Sequence, residues 1–465
     1  MKKRFGESKK QTKVLSIVEG GFYGVHEGVG IKYVAPFALA IGKGSPYITT
    51  FIALLTSIPP LVGNITQLYA NSFMKKYRRK ELLTFFVMLQ SLFWMGVLAC
   101  AMGFFVFGWD STFSLIALTL CYTALTSCGS FVSPVWTSLM KDIVSTKRGN
   151  YFSRRNRIAG GIALITSLFA GAWLDKVGVN HLLVGFGTLF LCAFLFRFIS
   201  GFLFLFHDDP PFKVNGAAYF TFWAFIRRYK ESNFVKFALF ISFFILAVSL
   251  SGPFFVIYML EDLHFSYLTW TIITIAGSLS SLFFMSFWGD FIDAHGSVKT
   301  LKITGVLISL IPFLWMFSYY FDPAQRSIVF FLVAIEFFSG CVWAGFNLSF
   351  SNFIYDAVSS EKTHLCSAYF NLLHGLGVFF GSAIGSIILY FDIHLLFMSS
   401  FFFVLFLSGI MRFFAYALLV PQINEVREVK NFSFDNAMHK FSQFHLKPFI
   451  DVFNLKIIKP IPNWI

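Results

Sequence analysis

Charge is what this chain has least of. Only 13% of its 465 residues are Asp, Glu, Lys or Arg, and just 23 are acidic. A soluble globule of this length needs far more polar surface, so most of this surface must face something other than water. Cysteine is also scarce. The six residues Cys100, Cys121, Cys128, Cys192, Cys341 and Cys366 fall in or beside apolar stretches with no paired ligand spacing. That excludes a disulfide framework or a zinc site and leaves small buried hydrophobes. No nucleophile, base and acid stand together at a consistent depth, so neither an enzyme nor a cofactor or metal is expected. The net charge of +14 is spread over short clusters between apolar stretches, and a continuous basic face for nucleic acid is missing. Lys2, Lys3, Arg4, Lys9, Lys10 and Lys13 precede an apolar stretch that no Ala-x-Ala site closes, so it is read as a retained membrane helix and not as a signal peptide.

What is present in abundance is apolar and aromatic. The chain is 57% hydrophobic and 20% aromatic, with 66 phenylalanines and a mean hydropathy of +0.70. A membrane helix needs about 20 mostly apolar residues. Twelve such stretches are expected, over 17–41, 47–73, 82–106, 112–139, 158–174, 181–206, 236–259, 267–289, 300–320, 328–352, 367–391 and 395–420. Lys and Arg crowd alternate connections: Lys75, Lys76, Arg78, Arg79 and Lys80, then Lys141, Lys147, Arg148, Arg154, Arg155 and Arg157. The intervening loops keep only Lys43, Lys176 and Arg326. The positive-inside rule then predicts an integral multi-pass protein of the cell (inner or plasma) membrane with both termini cytoplasmic. Residues 207–235 form a cytoplasmic linker with an interfacial aromatic segment. In the cytoplasmic tail, 421–465, Phe434, Met438, Phe441 and Phe444 are near helical spacing.

The second half repeats the first. Asp142-Ile-Val144-Ser145 recurs as Asp356-Ala-Val358-Ser359, 214 residues on, and Asn156 with Gly160 recurs as Asn371 with Gly375, 215 residues on. The chain therefore divides into a six-helix half over 1–206 and another over 236–420. Between spans eight and nine stand Gly289, Asp293, Gly296 and Lys299. With twelve spans, a central linker and parallel half-repeats, this loop resembles the Gly-x-x-x-Asp-Arg-x-Gly-Arg-Arg signature of the major facilitator superfamily. Ala294 replaces its first basic residue. The sibling loop is eroded to Ala70, Met74 and Tyr77, although Lys75, Arg78, Arg79 and Lys80 keep the charge. The resemblance implies an all-α fold of two pseudo-symmetric six-helix bundles, with Asp293 latching the cytoplasmic side through a helix terminus or a basic residue. It also gives Arg148, and Asp142 near it, a place in the gate. With the first acid missing, an asymmetric latch is expected. Span four has no arginine and span five no Gly-Pro pair, which counts against drug–proton antiport.

Ionisable groups at membrane depth cost about 2.5 to 3.5 kcal/mol each and so face a cavity or a partner. Span one concentrates them: Glu19, Tyr23, His26 and Glu27 share one helical face. Glu27 and His26 lie near its middle, where a carboxylate exchanges protons as the cavity alternates between wet and closed. An alternative is a Glu27 held by a helix–helix hydrogen bond. On span ten Glu336, Trp343 and Asn347 share a face and are expected to line the same cavity. The expected function is secondary active transport of a small solute by alternating access, by a symporter or antiporter with protons as candidate coupling ion, acting as a monomer in the lipid bilayer. A transport-inactive membrane sensor or assembly protein and a drug or metabolite exporter remain the alternatives.

Overall fold

The computed structural model describes residues 2–144, 148–211, 220–358, 362–393 and 398–429. These form α1 Lys2–Val29, α2 Val34–Gly42, α3 Ile48–Met74, α4 Arg79–Phe105, α5 Ser111–Ile143, α6 Arg148–Val177, α7 Leu182–Leu203, α8 Phe222–Arg227, α9 Asn233–Ser249, α10 Phe255–Ile257, α11 Tyr267–His295, α12 Ser297–Met316, α13 Arg326–Ala357, α14 Thr363–Tyr390 and α15 Ser400–Leu419, with no strand among the described residues. The helix expected around Phe434, Met438, Phe441 and Phe444 lies outside them.

Among the described residues, eleven segments are long and apolar enough to cross a membrane, matching the second to twelfth expected spans. The first differs. Expected as one helix over 17–41, it breaks after α1 at Gly30, makes a 3-10 turn over Ile31–Tyr33 and restarts as α2. Pro36 explains the break: it lacks an N–H, and its ring would collide with the carbonyl of Lys32 in a continuous helix. The seventh span breaks similarly. Pro253 lies in a 3-10 turn, Gly252–Phe254, between α9 and α10, and a π turn, Tyr258–Asp262, completes the crossing. Side chains fix several helix starts. Asp110 accepts from the amides of Thr112 and Phe113 to begin α5, and those bonds hold its carboxyl below the usual range. Gly296 takes φ +89° between α11 and α12, a conformation open to glycine at little cost.

Helix contacts fall into two sets. In one, α4 packs on α5 and α7, α3 on α5, and α1 on α6 and α7; in the other, α11 and α12 pack on α13, α12 on α15, and α9 on α14 and α15. Between the sets the main contacts are α3 with α14 and α6 with α11. In the second set Gly377, Gly381 and Gly385 of α14 lie against the backbone of Ser242 and Leu246 of α9 and of Leu250, which caps it, where any side chain would strike a carbonyl. In the first set the small residues sit on the other partner: Gly24 and Gly28 of α1 meet Ala159 and Ala163 of α6.

Candidate functional site

A cavity of about 790 Å³ opens within the first set of helices. It is lined from α1 by Glu19, Tyr23, His26 and Glu27, from α3 by Thr56, the Pro59-Pro60 pair and Gln67, and from α5 by Tyr122, Thr126, Ser130, Ser133 and Trp136. Gln90, Arg155 and Arg197 complete it from α4, α6 and α7. Thus the four span-one residues singled out by sequence all reach one cavity. The α1 stripe does so because α6 and α7 flank α1 and bring their arginines onto its polar face.

Glu19 organises the basic end of the cavity. Its Oε2 accepts from Arg155 Nη2 at 2.7 Å, while its Oε1 accepts from Ser200 at 3.0 Å and lies 3.6 Å from Arg197 Nη1. Arg155 also donates through Nε to the carbonyl of Ser16 and stacks over Trp136, 4.2 Å from the ring centre. Arg197 donates to Gln90 at 2.7 Å and covers the Tyr23 ring at 5.1 Å. Deeper in, the Tyr23 hydroxyl donates to Glu27, a local bond along α1 and not one between helices. His26 is 1% exposed, edge-on to Trp94, and neither ring nitrogen has a hydrogen-bond partner among the described residues. A buried polar group left so is costly unless a ligand or water meets it.

The second set differs at the matching position. Arg412, 215 residues after Arg197, is equally buried at 3% exposed, but no carboxylate pairs with it among the described residues. It donates to the carbonyls of Ile308 and Val248 and to Ser251 Oγ, and its Nε has no partner. Glu336 lies against Gly277 at the crossing of α13 and α11, Trp343 packs edge-on to Phe346, and Asn347 is exposed. None of the three lines the cavity. They share a face of α13, but that face meets α11, α12 and the surface, and the α1 cavity is elsewhere.

At the end carrying the basic loops, each set has an ionic clasp. In the first, Arg79 at the start of α4 is 1% exposed and bridges Asp142, at 2.7 Å, to Asp209, at 3.2 Å. Asp209 also accepts from the amide of Lys80, the α4 terminus. In the second, Arg427, beyond α15, contacts Asp356 at 2.7 Å and Asp293 at 3.8 Å, and Glu425 accepts from the amide of Val298 at the start of α12. Glu425 also fills the space beside Gly296. The clasps use the same positions with charges exchanged: the base is on the loop in the first half and on the strap after the sixth helix in the second. The eroded loop supplies the base Arg79 where the second loop supplies the acid Asp293. Asp293 reaches a base in its own half, at long range with 78% of its side chain exposed, and the helix-terminus role falls to Glu425. Gly289 lies beside Leu348; Lys299 is in the first turn of α12. Arg148 opens α6, and its side chain is outside the described residues.

At the opposite end the two sets are tied together. Asp175 at the end of α6 accepts from the amides of Tyr267 and Leu268 at the start of α11, at 2.8 and 3.0 Å. Tyr33 is within 2.7 Å of Thr271 Oγ1 and donates to the carbonyl of Ser167, while Tyr47 stacks on Tyr390. Lys32 lies over Trp270 of α11. Nearer the middle, Asn64 and Gln67 of α3 bond Asn371 of α14. Arg197, Arg412 and Asp209 were missed by sequence reasoning. The first two carry a signal that was there to use, since both are lone arginines inside apolar spans at the repeat offset.

Solved structures share this architecture. A variant of the nucleoside transporter NupG aligns with a TM-score of 0.65 at 13% identity, covering 90% of this chain and all of its own. The xylose transporter XylE from E. coli, in a partially occluded inward-open conformation, gives 0.65 at 11% identity over 91% of this chain and all of XylE. A bacterial homologue of the iron transporter ferroportin gives 0.62 in its inward-facing state, at 14% identity over 89% of this chain and 99% of its own. No curated protein matched the sequence. A model of the Major Facilitator Superfamily matches residues 33–350 and 237–459. The chain therefore belongs to the major facilitator superfamily of membrane transporters.

Proposed function

We propose that the protein is a secondary active transporter that carries a small polar solute by alternating access, with the cavity between α1, α3, α5 and α7 as its binding site. The observation that carries this reading is the clustering of Glu19, Tyr23, His26, Glu27, Arg155 and Arg197 around one space of about 790 Å³. Such a volume suits a solute of monosaccharide or nucleoside size. Polar groups placed at this cost in a membrane bundle serve a pathway. In this reading α1 and α2 together form the first span and bring the number to twelve, 1–206 and 236–420 are the rocking halves, and the basic loops face the cytoplasm with both termini.

The ties between halves at Asp175, Tyr33 and Tyr47 lie at the end away from the basic loops, which supports an inward-facing state. The higher TM-score to the inward-facing ferroportin homologue, 0.62 against 0.56 for its outward-facing state, points the same way. Glu27 is the proton carrier: its described partner is the uncharged Tyr23, whereas Glu19 is committed to two arginines. The test is solute flux into proteoliposomes from a labelled metabolite panel. A flux driven by a pH gradient and lost in Glu27→Gln supports the reading; flux indifferent to both removes the proton, and no flux for any solute removes transport.

A further inference from the structure

The cavity contains more cation than its own acids neutralise at one end. Arg155 uses Nε on Ser16 and Nη2 on Glu19; Arg197 uses Nε on Gln90 and Nη1 on Ser200 and Glu19. Nη1 of Arg155 and Nη2 of Arg197 have no partner among the described residues, and both side chains line the cavity. Glu19 does not reach them: its contacts are to Arg155 Nη2, Ser200 Oγ and Arg197 Nη1. Gly20 has no side chain, and this lets the Arg155 stem lie against α1, while Trp136 holds the guanidinium flat. A planar guanidinium fixed by stacking, with free N–H groups, matches the oxygens of a carboxylate or phosphate. His26, fully buried and unpartnered, borders the same space.

We infer that the cargo carries an oxyanion, a carboxylate or a phosphate, which docks on Arg155 and Arg197, and that each monoanion enters with one proton on Glu27. This rests on the transport reading above. The proton follows from charge. With Glu27 ionised, Arg155 and Arg197 balance Glu19 and Glu27, so the empty cavity is neutral. A monoanion would make it negative when it closes and dries, where an unbalanced charge is expensive. A proton taken from water by the Glu27 carboxylate restores neutrality and leaves with the cargo on the other side. The groups facing Glu27 are Tyr23 and His26 on its own helix, Tyr122 on α5 and Arg197 on α7, with Arg155 of α6 beyond Glu19. Arg197 is the cation whose unspent valence passes to the cargo.

The test is calorimetry on the full-length protein in nanodiscs with glucose, gluconate and glucose 6-phosphate as probes, in buffers of different ionisation heat. Gluconate, glucose 6-phosphate or both are expected to bind at least about tenfold more tightly than glucose, the equivalent of one charge-assisted contact. Which anion binds tells carboxylate from phosphate. Arg155→Gln and Arg197→Gln are expected to remove that preference, and Arg155→Lys, which keeps the charge and serves as the folding control, to recover part of it. Proton uptake, read with the monoanion gluconate because glucose 6-phosphate titrates itself near neutral pH, is expected to be about one per anion in the wild type, and none in Glu27→Gln. Glucose binding as well as both anions, neither anion binding at millimolar concentration, or an anion preference that survives both Gln variants would overturn the inference. Proton uptake that persists in Glu27→Gln would overturn its second part. Anion binding without flux in proteoliposomes would leave the oxyanion site standing while the transport reading falls.

Discussion

The two halves of this molecule share a topology and differ in what they bury. In the first, Arg197 meets Glu19, Gln90 and Ser200 at the wall of a polar cavity. In the second, its repeat counterpart Arg412 meets two carbonyls and a serine, with no acid beside it among the described residues. The same pattern of helix contacts thus encloses a polar cavity in one set and an arginine without an acid partner among the described residues in the other. The difference lies in α1, where Glu19, Tyr23, His26 and Glu27 occur, while the corresponding α9 reads Asn-Phe-Val-Lys-Phe-Ala-Leu-Phe-Ile over 233–241. The clasps differ in the opposite sense from what the loop signature suggests. The half with the eroded signature has the buried base, and the half that keeps Gly289, Asp293 and Gly296 has the exposed one.

The clasps offer the largest effect with which to break this comparison. Arg79→Ala leaves Asp209 buried without its cation and is expected to cost about 3 to 5 kcal/mol, whereas Arg427→Ala, on a half-exposed base, is expected to cost about 1 kcal/mol or less. Thermal unfolding in detergent measures both, and equal losses would remove the asymmetry. The buried arginines come next. Arg197→Met should cost about 2 kcal/mol, less than a full pair because Arg155 still holds Glu19. Arg412→Met removes a buried cation that lacks an acid and is expected to be neutral or stabilising in the same melt.

A functional contrast follows. Glu27→Gln should abolish pH-driven uptake, and Glu336→Gln should leave it in place, because Glu336 sits at the α11 crossing and not on the cavity. Initial rates in proteoliposomes read the difference. The smallest effect concerns His207, which lies just beyond α7 and bonds the carbonyl of Leu203. Burial holds its imidazole below its ordinary value. The neutral form is therefore favoured in the folded state, so its contribution to stability is complete above about pH 6.5 and declines as pH falls below that. His207→Gln should flatten the decline in melting temperature on acidification, and an unchanged slope would assign it to other groups.

Much of the fold was legible because length and hydropathy are local properties. Eleven of the twelve expected spans recur within a few residues, and the exception was signalled by Pro36 and Gly30, whose joint effect on one helix is not an average over a window. The cavity was half legible. Helical period put Glu19, Tyr23, His26 and Glu27 on one face, but which helices would flank that face was not in the period. The cavity therefore lies among α3, α5 and α7, and span ten, whose Glu336, Trp343 and Asn347 had an equally good stripe, turned elsewhere. The clasps were least legible. Asp209 reads as a linker acid and Arg79 as one of five loop cations until the fold brings the strap after α7 across the start of α4.

The central claim is that one cavity in the first half is exposed to each side of the membrane in turn, and side-specific thiol labelling tests it most directly. Ser133→Cys, on the cavity wall, is predicted to react with an impermeant reagent from the face of the basic loops. Adding Asp175→Asn and Tyr33→Phe, which release the ties at the far end, is predicted to move that reactivity to the opposite face. Labelling that stays on one face when the ties are released, or that occurs from both faces at once, would contradict the account.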